Sequence, residues 1–348
     1  MKRQTFIAAA LCLAVMCSLF GCTKKLRVQA AHYGAPLSFK RTTTYAGPDA
    51  TEADGSVPLN SWMATIPDHY SLAQLSLPGT HNACARYEPI GGTARCQALT
   101  LNEQLNAGIR FLDIRCRHVN NAFAIHHGAI YQRIRFEEVL AACANFLDNN
   151  PSECIIMSIK EEYTPSHNTR SFEQSFDAYA RRYAAKWYLG AAIPPIGSVR
   201  GRIVLLRRFA ASQAIKGIDA SRWEHNATFT IHNAQSRIRV QDQFVVPDNQ
   251  AKWHNSTALL QEASSRETET LYINFTSGYR PALFHIPDIQ TVANVMSGHI
   301  TDYFSAHPQG RYGIIAMDFA DPRKAALIIA TNYRHHAPVL TYALNQVK

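Results

Sequence analysis

Seven places in this chain set polar side chains directly behind a short apolar run. His81 follows the run inside SLPGTHNA, and Asp113 and Arg115 end IRFLDIR. His126 and His127 follow AFAI, Lys160 and Glu162 end IIMSIKEE, and Arg207 and Arg208 end RIVLLRR. Asp242 follows IRVQ and Asp318 follows GIIAM. Imidazoles gain and lose protons near neutral pH. Guanidiniums grip anionic oxygens in pairs. One polar residue at such a position is ordinary solvation of a strand end; seven of them describe a site.

The elements that would position them alternate. Strand signals fall at 74–77, 109–114, 123–125, 154–159, 202–206, 238–241, 271–275 and 313–317, as short apolar or β-branched runs with polar ends. Runs of this kind suit strands buried on both faces. Between them, RFEEVLAACANFLDNNP repeats apolar residues at helical spacing through Phe136, Val139, Leu140, Cys143, Phe146 and Leu147, and Asn149-Asn150-Pro151 stops it. Segments 170–187, 287–305 and 322–333 also read as helices. The pattern predicts an α/β fold, a single-domain TIM-like (β/α)8 barrel whose strand ends meet on one face. No helix is legible over 209–237, so the barrel is expected to be irregular.

The 348 residues are 47% hydrophobic and 18% charged, enough for a large core, with a formal net charge of +9. That charge favours anionic partners such as phosphates and lipid headgroups. The Lys and Arg are scattered and form no nucleic-acid motif. Residues 1–21 read as a signal sequence, with Lys2 and Arg3 ahead of an apolar stretch. Leu19-Phe20-Gly21-Cys22 resembles a bacterial lipobox, which implies cleavage before Cys22 and lipid on its sulfur. Residues 22–58 read as a polar tether and 59–348 as the catalytic barrel. An exported lipoprotein, anchored at the cell surface or on a periplasmic face, is the expectation. Five cysteines remain, Cys84, Cys96, Cys116, Cys143 and Cys154. The number is odd and the spacing gives no C-x-x-C pair, so at least one thiol stays unpaired and a zinc site is not indicated. Cys84 and Cys96 flank one Gly-rich loop and could pair.

Taken in order, WMATIPDHYSLAQLSLPGTHNA, LNEQLNAGIRFLDIRCR, FAIHHGAIY, FLDNNPSECIIMSIKEEY, GRIVLLRRF, VQDQF, LYINFTS and GIIAMDF resemble the bacterial phosphatidylinositol-specific phospholipases C, X-domain family, over residues 62 to about 319. The resemblance implies a distorted TIM barrel and cleavage of phosphatidylinositol, or of glycosyl-phosphatidylinositol anchors, to diacylglycerol and 1,2-cyclic inositol phosphate. It makes His81 the base and His127 the acid. Asp318 would hold His81, Arg115 would neutralise the phosphate, and Asp113 would orient Arg115 or His127. Lys160, Glu162, Arg208 and Asp242 match inositol-contacting positions, and Phe244 stands where relatives often carry Tyr. His126, by strand alternation, faces the other way and packs; His69, His118 and the pair His335 and His336 are expected on the surface.

Two departures stand out. Asn82 occupies the place of an Asp in metal-independent relatives, which should weaken protonation of the leaving group. Calcium-dependent relatives carry His-Asn there, but they have carboxylates where this chain has Arg115 and Lys160, and calcium needs anionic oxygens. The site is therefore read as free of metal and of any other cofactor. The Trp of secreted relatives' rim loops is also missing, leaving Tyr87, Tyr279 and Phe284 to meet a membrane surface. A monomer acting on lipid, without nucleic acid, is expected. The alternatives are a non-catalytic lipoprotein binding inositol phosphates or glycans, and a glycerophosphodiesterase-like hydrolase, which would need a His-Arg-Gly and acidic metal ligands that PGTHN and Arg115 do not supply.

Overall fold

The computed structural model describes residues 42–45, 56–212, 215–265, 269–281, 287–333 and 338–343. Its strands are β1 (Thr42–Tyr45), β2 (Ser56–Pro58), β3 (Ser76–Thr80), β4 (Phe111–Val119), β5 (Ala122–His127), β6 (Ile130–Arg135), β7 (Ile155–Glu161), β8 (Trp187–Tyr188) and β9 (Ile203–Arg208). They continue as β10 (Ile218–Asp219), β11 (Thr228–His232), β12 (Arg237–Gln241), β13 (Thr270–Phe275), β14 (Arg280–Pro281), β15 (Pro287–Asp288), β16 (Gly313–Met317) and β17 (Val339–Ala343). The α-helices are α1 (Leu101–Asn106), α2 (Phe136–Asn149), α3 (Phe172–Arg182), α4 (Asn249–Ser265), α5 (Ile289–Ala306) and α6 (Pro322–Ala330).

The main sheet runs β10-β9-β7-β4-β3-β16-β13-β12-β11. Every neighbouring pair on that path is parallel except β11 with β12. It curls into a TIM-type barrel with β10 and β11 as its edges. Strand alternation then sorts the side chains. Leu112, Ile114, Met157, Ile159, Leu205, Ile315 and Met317 face outward into the layer shared with the helices. Phe111, Ile156, Val204, Leu77, Ile273 and Ile314 face inward and fill the barrel floor. Each of these fully buried apolar side chains contributes about 1.5–3 kcal/mol. Two residues further along, the inward positions of β4, β7 and β9 hold Asp113, Ser158 and Leu206, which are in register. Two further still they hold Arg115, Lys160 and Arg208, again in register. The barrel thus passes from apolar floor to cationic mouth within five residues of strand.

Helix α2 buries the apolar face read from its spacing, and Glu138 accepts from the Arg135 N–H at its start. Thr100 and Glu103 cap α1 reciprocally, as Ser171 and Gln174 cap α3. Gly79, in the PGTH turn, lies opposite Phe111; a Cβ there would stand 2.8 Å from that ring.

Several expectations change. The run at 123–125 is no barrel strand: β5 pairs antiparallel with β4 and β6, forming a hairpin off the barrel path. The eighth parallel strand is instead the two-residue β10. The stretch 209–237 has no helix among its described residues, as its sequence suggested, and holds β10 and β11. Helix α4 went unread because its inward side carries Lys252 and Ser256 beside Leu259, Leu260 and Ala263, which breaks the apolar stripe. Of the tether expected over 22–58, residues 42–45 and 56–58 are strands paired with β17. The signal sequence, Cys22, Phe284, His335 and His336 lie outside the described residues. His69 is exposed, but His118 is not a surface residue. It is buried, edge-on to Phe123 and Phe172, with Nε2 hydrogen-bonded to Ser175 Oγ at 2.8 Å. The five described cysteines are all buried free thiols.

Beneath the barrel, Arg110 and Glu153 are both fully buried and meet at 2.7 Å. The Arg110 guanidinium also donates to the carbonyls of Leu59, Asn60, Leu105 and Ile109, and Glu153 accepts from the Met63 N–H. Glu153→Ala leaves a buried cation unpaired and should cost about 3–5 kcal/mol of stability. Urea unfolding checks this: a loss below 1 kcal/mol would mean the arginine's carbonyl contacts suffice.

Candidate active site

Neighbouring strands β3 and β16 align Thr80 with Met317, so the next residues, His81 and Asp318, emerge side by side. His81 Nδ1 lies 2.7 Å from Asp318 Oδ1. Asp318 is buried, so this contact places the ring proton on Nδ1 and leaves Nε2 free to accept another. Gln97 fixes both strand ends: its amide donates to the carbonyls of His81 and Met317, each at 2.8 Å, and its oxygen accepts from the Ala320 N–H. Sequence reasoning missed Gln97, because a lone glutamine on a loop carries no signal.

Asn82 has φ 43°, a left-handed conformation that asparagine tolerates. That turn aims its backbone N–H at Asp113 Oδ2, 3.2 Å away, and brings its side-chain amide within 3.5 Å of His81 Nε2. Asp113 is fully buried and also accepts from Arg115 Nε at 3.0 Å and Arg208 Nη1 at 3.3 Å. Burial opposes its ionisation, but Arg115 and Arg208 overcome that and hold the carboxyl far below the usual carboxylate range. Arg115 is in turn held charged against its own burial by Asp113 and Glu162.

His127 ends β5, so the hairpin and not a barrel strand delivers it. Its Nδ1 donates to the Ala94 carbonyl at 2.7 Å, and its ring stands edge-on to His81 with centroids 6.5 Å apart. Burial, reinforced by the neighbouring Arg115 charge, pushes its pKa down to about 4. His126 faces the other way, buried against Tyr131, as alternation required.

Lys160 and Glu162 meet at 2.8 Å. Glu162 also accepts from the Gly128 N–H and lies 3.9 Å from Arg115. Burial works against its charge, while Arg115 and Lys160 hold it ionised, down to about 2. Arg208 lies 3.7 Å from the centroid of the Trp223 ring, and Trp223 Nε1 donates to Asp242 Oδ2 at 2.9 Å. Trp223 was missed because it sits in the stretch without helix or strand signals. Arg207 points outward and holds the following loop through Lys216 and Asp219.

These groups enclose a cavity of about 420 Å³. His81, Arg115, His127, Lys160, Glu162, Arg208, Asp242 and Phe244 line it, with Trp223, His225 and Tyr279. Asp113, Asp318 and Asn82 stand behind the lining. Every proposed site residue among the described ones therefore gathers at one mouth. Ile90, Tyr131 and Tyr163 are exposed, Tyr279 lines the cavity, and Arg133 covers Tyr87 at 3.6 Å. The arrangement supplies two imidazoles, a row of three cations and carboxylates of the kind that accept from hydroxyls.

Residues 80–209 match the family model for phosphatidylinositol-specific phospholipase C, X domain. A curated relative from Staphylococcus aureus, described as 1-phosphatidylinositol phosphodiesterase, is 26% identical over 79% of this chain and 93% of its own length. One of the same description from Listeria monocytogenes is 28% identical over 80% of this chain and 86% of its own. Among solved structures, a Staphylococcus aureus phosphatidylinositol-specific phospholipase C superposes with TM-score 0.71 at 26% identity, covering 80% of this chain and 98% of that one. The Listeria monocytogenes enzyme gives 0.63 at 26% identity, covering 80% of this chain and all of that one. The X-domain match over residues 80–209, the barrel and the gathered mouth agree, and over about 80% of its length the chain is similar to the bacterial phosphatidylinositol-specific phospholipases C.

Proposed function

We infer that this chain cleaves phosphatidylinositol to diacylglycerol and 1,2-cyclic inositol phosphate, with no metal in the step. The observation that carries the reading is the pair His81 and His127, edge-on at 6.5 Å beside the cation row of Arg115, Lys160 and Arg208. His81 Nε2 takes the proton of the inositol 2-hydroxyl as that oxygen attacks phosphorus. The bond from phosphorus to the glycerol oxygen breaks, and His127 Nε2 returns a proton to that oxygen. The nucleophile and phosphorus belong to one molecule, so holding the inositol ring removes much of the entropic barrier. Asp318 keeps the His81 tautomer; Arg115 balances charge that grows on the phosphoryl oxygens. Glu162 and Asp242 accept from inositol hydroxyls, Lys160 and Arg208 donate to them, and Phe244 covers the ring. The same contacts would serve a glycosyl-phosphatidylinositol anchor. The exposed Ile90 and Tyr163 and the cavity-lining Tyr279 are the apolar groups available to meet a lipid surface, and a lipid on Cys22 would tether this monomeric, exported protein to its membrane.

His127 is neutral in the free enzyme at pH 7, with only about one part in a thousand protonated. A bound phosphodiester would face Arg115 and bring its own negative charge, which counters the arginine's repulsion and raises the pKa of His127. The optimum of kcat/KM, which reports the free enzyme, should therefore lie at lower pH than the optimum of kcat. Coincident optima would remove His127 as the acid. His81→Ala and His127→Ala should each lose about 10²- to 10⁴-fold in turnover on phosphatidylinositol vesicles. Phosphorus NMR of the products identifies the cyclic phosphate, and near-normal rates in either folded variant reject the pair.

Calcium takes several oxygen ligands, often anionic, and a row of cations at the mouth would repel it. Full activity in excess chelator is expected; loss that calcium restores would make Asn82 the better guide. Cys22→Ser should shift the protein from the detergent phase to the aqueous phase or leave its signal uncleaved, and unchanged partitioning would refute the lipid anchor.

A further inference from the structure

Behind His81 lies a thiol that the proposed reaction does not use. Cys96 is fully buried, with its backbone fixed by hydrogen bonds to Ala85 and Phe319. A ring nitrogen of His81, the Cys96 sulfur and a carboxylate oxygen of Asp318 all lie within 4.8 Å of one another. Asp318 is 6% exposed, and its Oδ2 has no hydrogen-bond partner among the described residues. A nitrogen and a sulfur from the loop after β3 and an oxygen from the loop after β16 thus converge on one point, and one of the buried acceptors there is unused.

We propose that His81, Cys96 and Asp318 form an inhibitory site for a thiophilic divalent cation, of which Zn²⁺ is the type. Zinc takes nitrogen and oxygen ligands at about 2.0–2.2 Å and sulfur at about 2.3 Å, in tetrahedral arrays of four. His81 Nδ1 and Asp318 Oδ1 are 2.7 Å apart, with a proton between them. A tetrahedral ion in that proton's place would move them to roughly 3.3 Å, a small adjustment for two side chains on loops. Thiolate and carboxylate together cancel the dication, so the occupied site is neutral overall and suits its burial. Water would supply the fourth ligand.

Binding has a definite consequence for the base. The Cys96 thiol gives up its proton to solvent, forming the sulfur–metal bond. The imidazole stays neutral, but its proton moves from Nδ1 to Nε2. That nitrogen is the one that must accept from the inositol hydroxyl, so a metallated His81 cannot act as base. The His81–Asp318 contact is broken in the same event. Inhibition therefore rests on the proposed function, whereas binding does not.

The test uses the full chain in detergent, with Zn²⁺ and Co²⁺ alone as probes. Co²⁺ should give a thiolate-to-cobalt charge-transfer band and a tetrahedral ligand-field spectrum, both absent from Cys96→Ala. Zn²⁺ should inhibit hydrolysis of phosphatidylinositol vesicles, reversed by chelator. Cys96→Ala should keep the basal rate and need at least about tenfold more Zn²⁺ for the same inhibition. Cys96→Ser, nearly the same size, carries the comparison if the alanine variant does not fold. The proposal fails if the cobalt spectrum is unchanged by loss of Cys96, or if the same Zn²⁺ concentration halves activity in wild type and variant. Were the chain inactive on phosphatidylinositol, the cobalt spectrum would still decide the site.

Discussion

The site depends on one buried carboxylate. Asp113 sits in the middle inward layer of the barrel, fully out of water, and three donors from three segments lean on it: the Asn82 N–H, Arg115 and Arg208. An isolated carboxylate at that depth would cost several kcal/mol. Two guanidiniums and a backbone amide offset that cost, and in doing so they lose their freedom. Arg115 and Arg208 are aimed by Asp113 before any substrate arrives. The Asn82 contact fixes the turn that carries His81 away from the end of β3. The same interaction therefore sets the place of the cations and of His81.

That carboxylate also explains how much of the molecule is legible in the sequence. The barrel strands are buried on both faces, so they appear as short apolar runs whatever else surrounds them. Polar residues at their ends stand out against such runs, which is why His81, Asp113, Arg115, Lys160, Arg208, Asp242 and Asp318 could be picked from the chain. His127 was found by position in a motif, although it comes from an antiparallel hairpin and not a barrel strand. The parts that were not legible share a cause. Helix α4 turns Lys252 inward, where the ammonium donates to Gln241 and to the carbonyls of Gln243 and Phe275. A polar group satisfied by tertiary partners leaves no period in the sequence. Gln97 and Trp223 are of the same kind: each matters through groups fifteen or more residues away. His118 misled for the converse reason, since a histidine between aromatic rings in a core looks like any surface histidine in a string of letters.

In the proposed reaction, His127 as acid and Arg115 as charge stabiliser would have to be neighbours despite repelling each other. An arginine beside an imidazole disfavours the imidazolium in the empty site. In that reaction the same arginine would approach the phosphate, and His127 would have to reach the glycerol oxygen bonded to it. Separating the two would relieve the free enzyme and spoil the reactive geometry. The proposed chemistry accepts the penalty in the empty site, because the substrate's own charge removes it on binding.

In the proposed reaction the cations would meet the phosphate already paired. Arg115 shares Asp113 and Glu162, Arg208 shares Asp113 and stacks on Trp223, and Lys160 is held by Glu162. Such a row attracts a ground-state phosphodiester, with its single charge, less strongly than three free cations would. It is nevertheless fixed in place, and fixed charges respond fully to negative charge that appears later at their positions. When the 2-oxygen adds to phosphorus, charge on the phosphoryl oxygens rises while the row does not have to move. Interactions that strengthen only at that point lower the barrier, whereas tight binding of the starting lipid would not. On the proposed reading, a half-neutralised, immobile cation row would therefore suit turnover of a lipid better than tight binding of it.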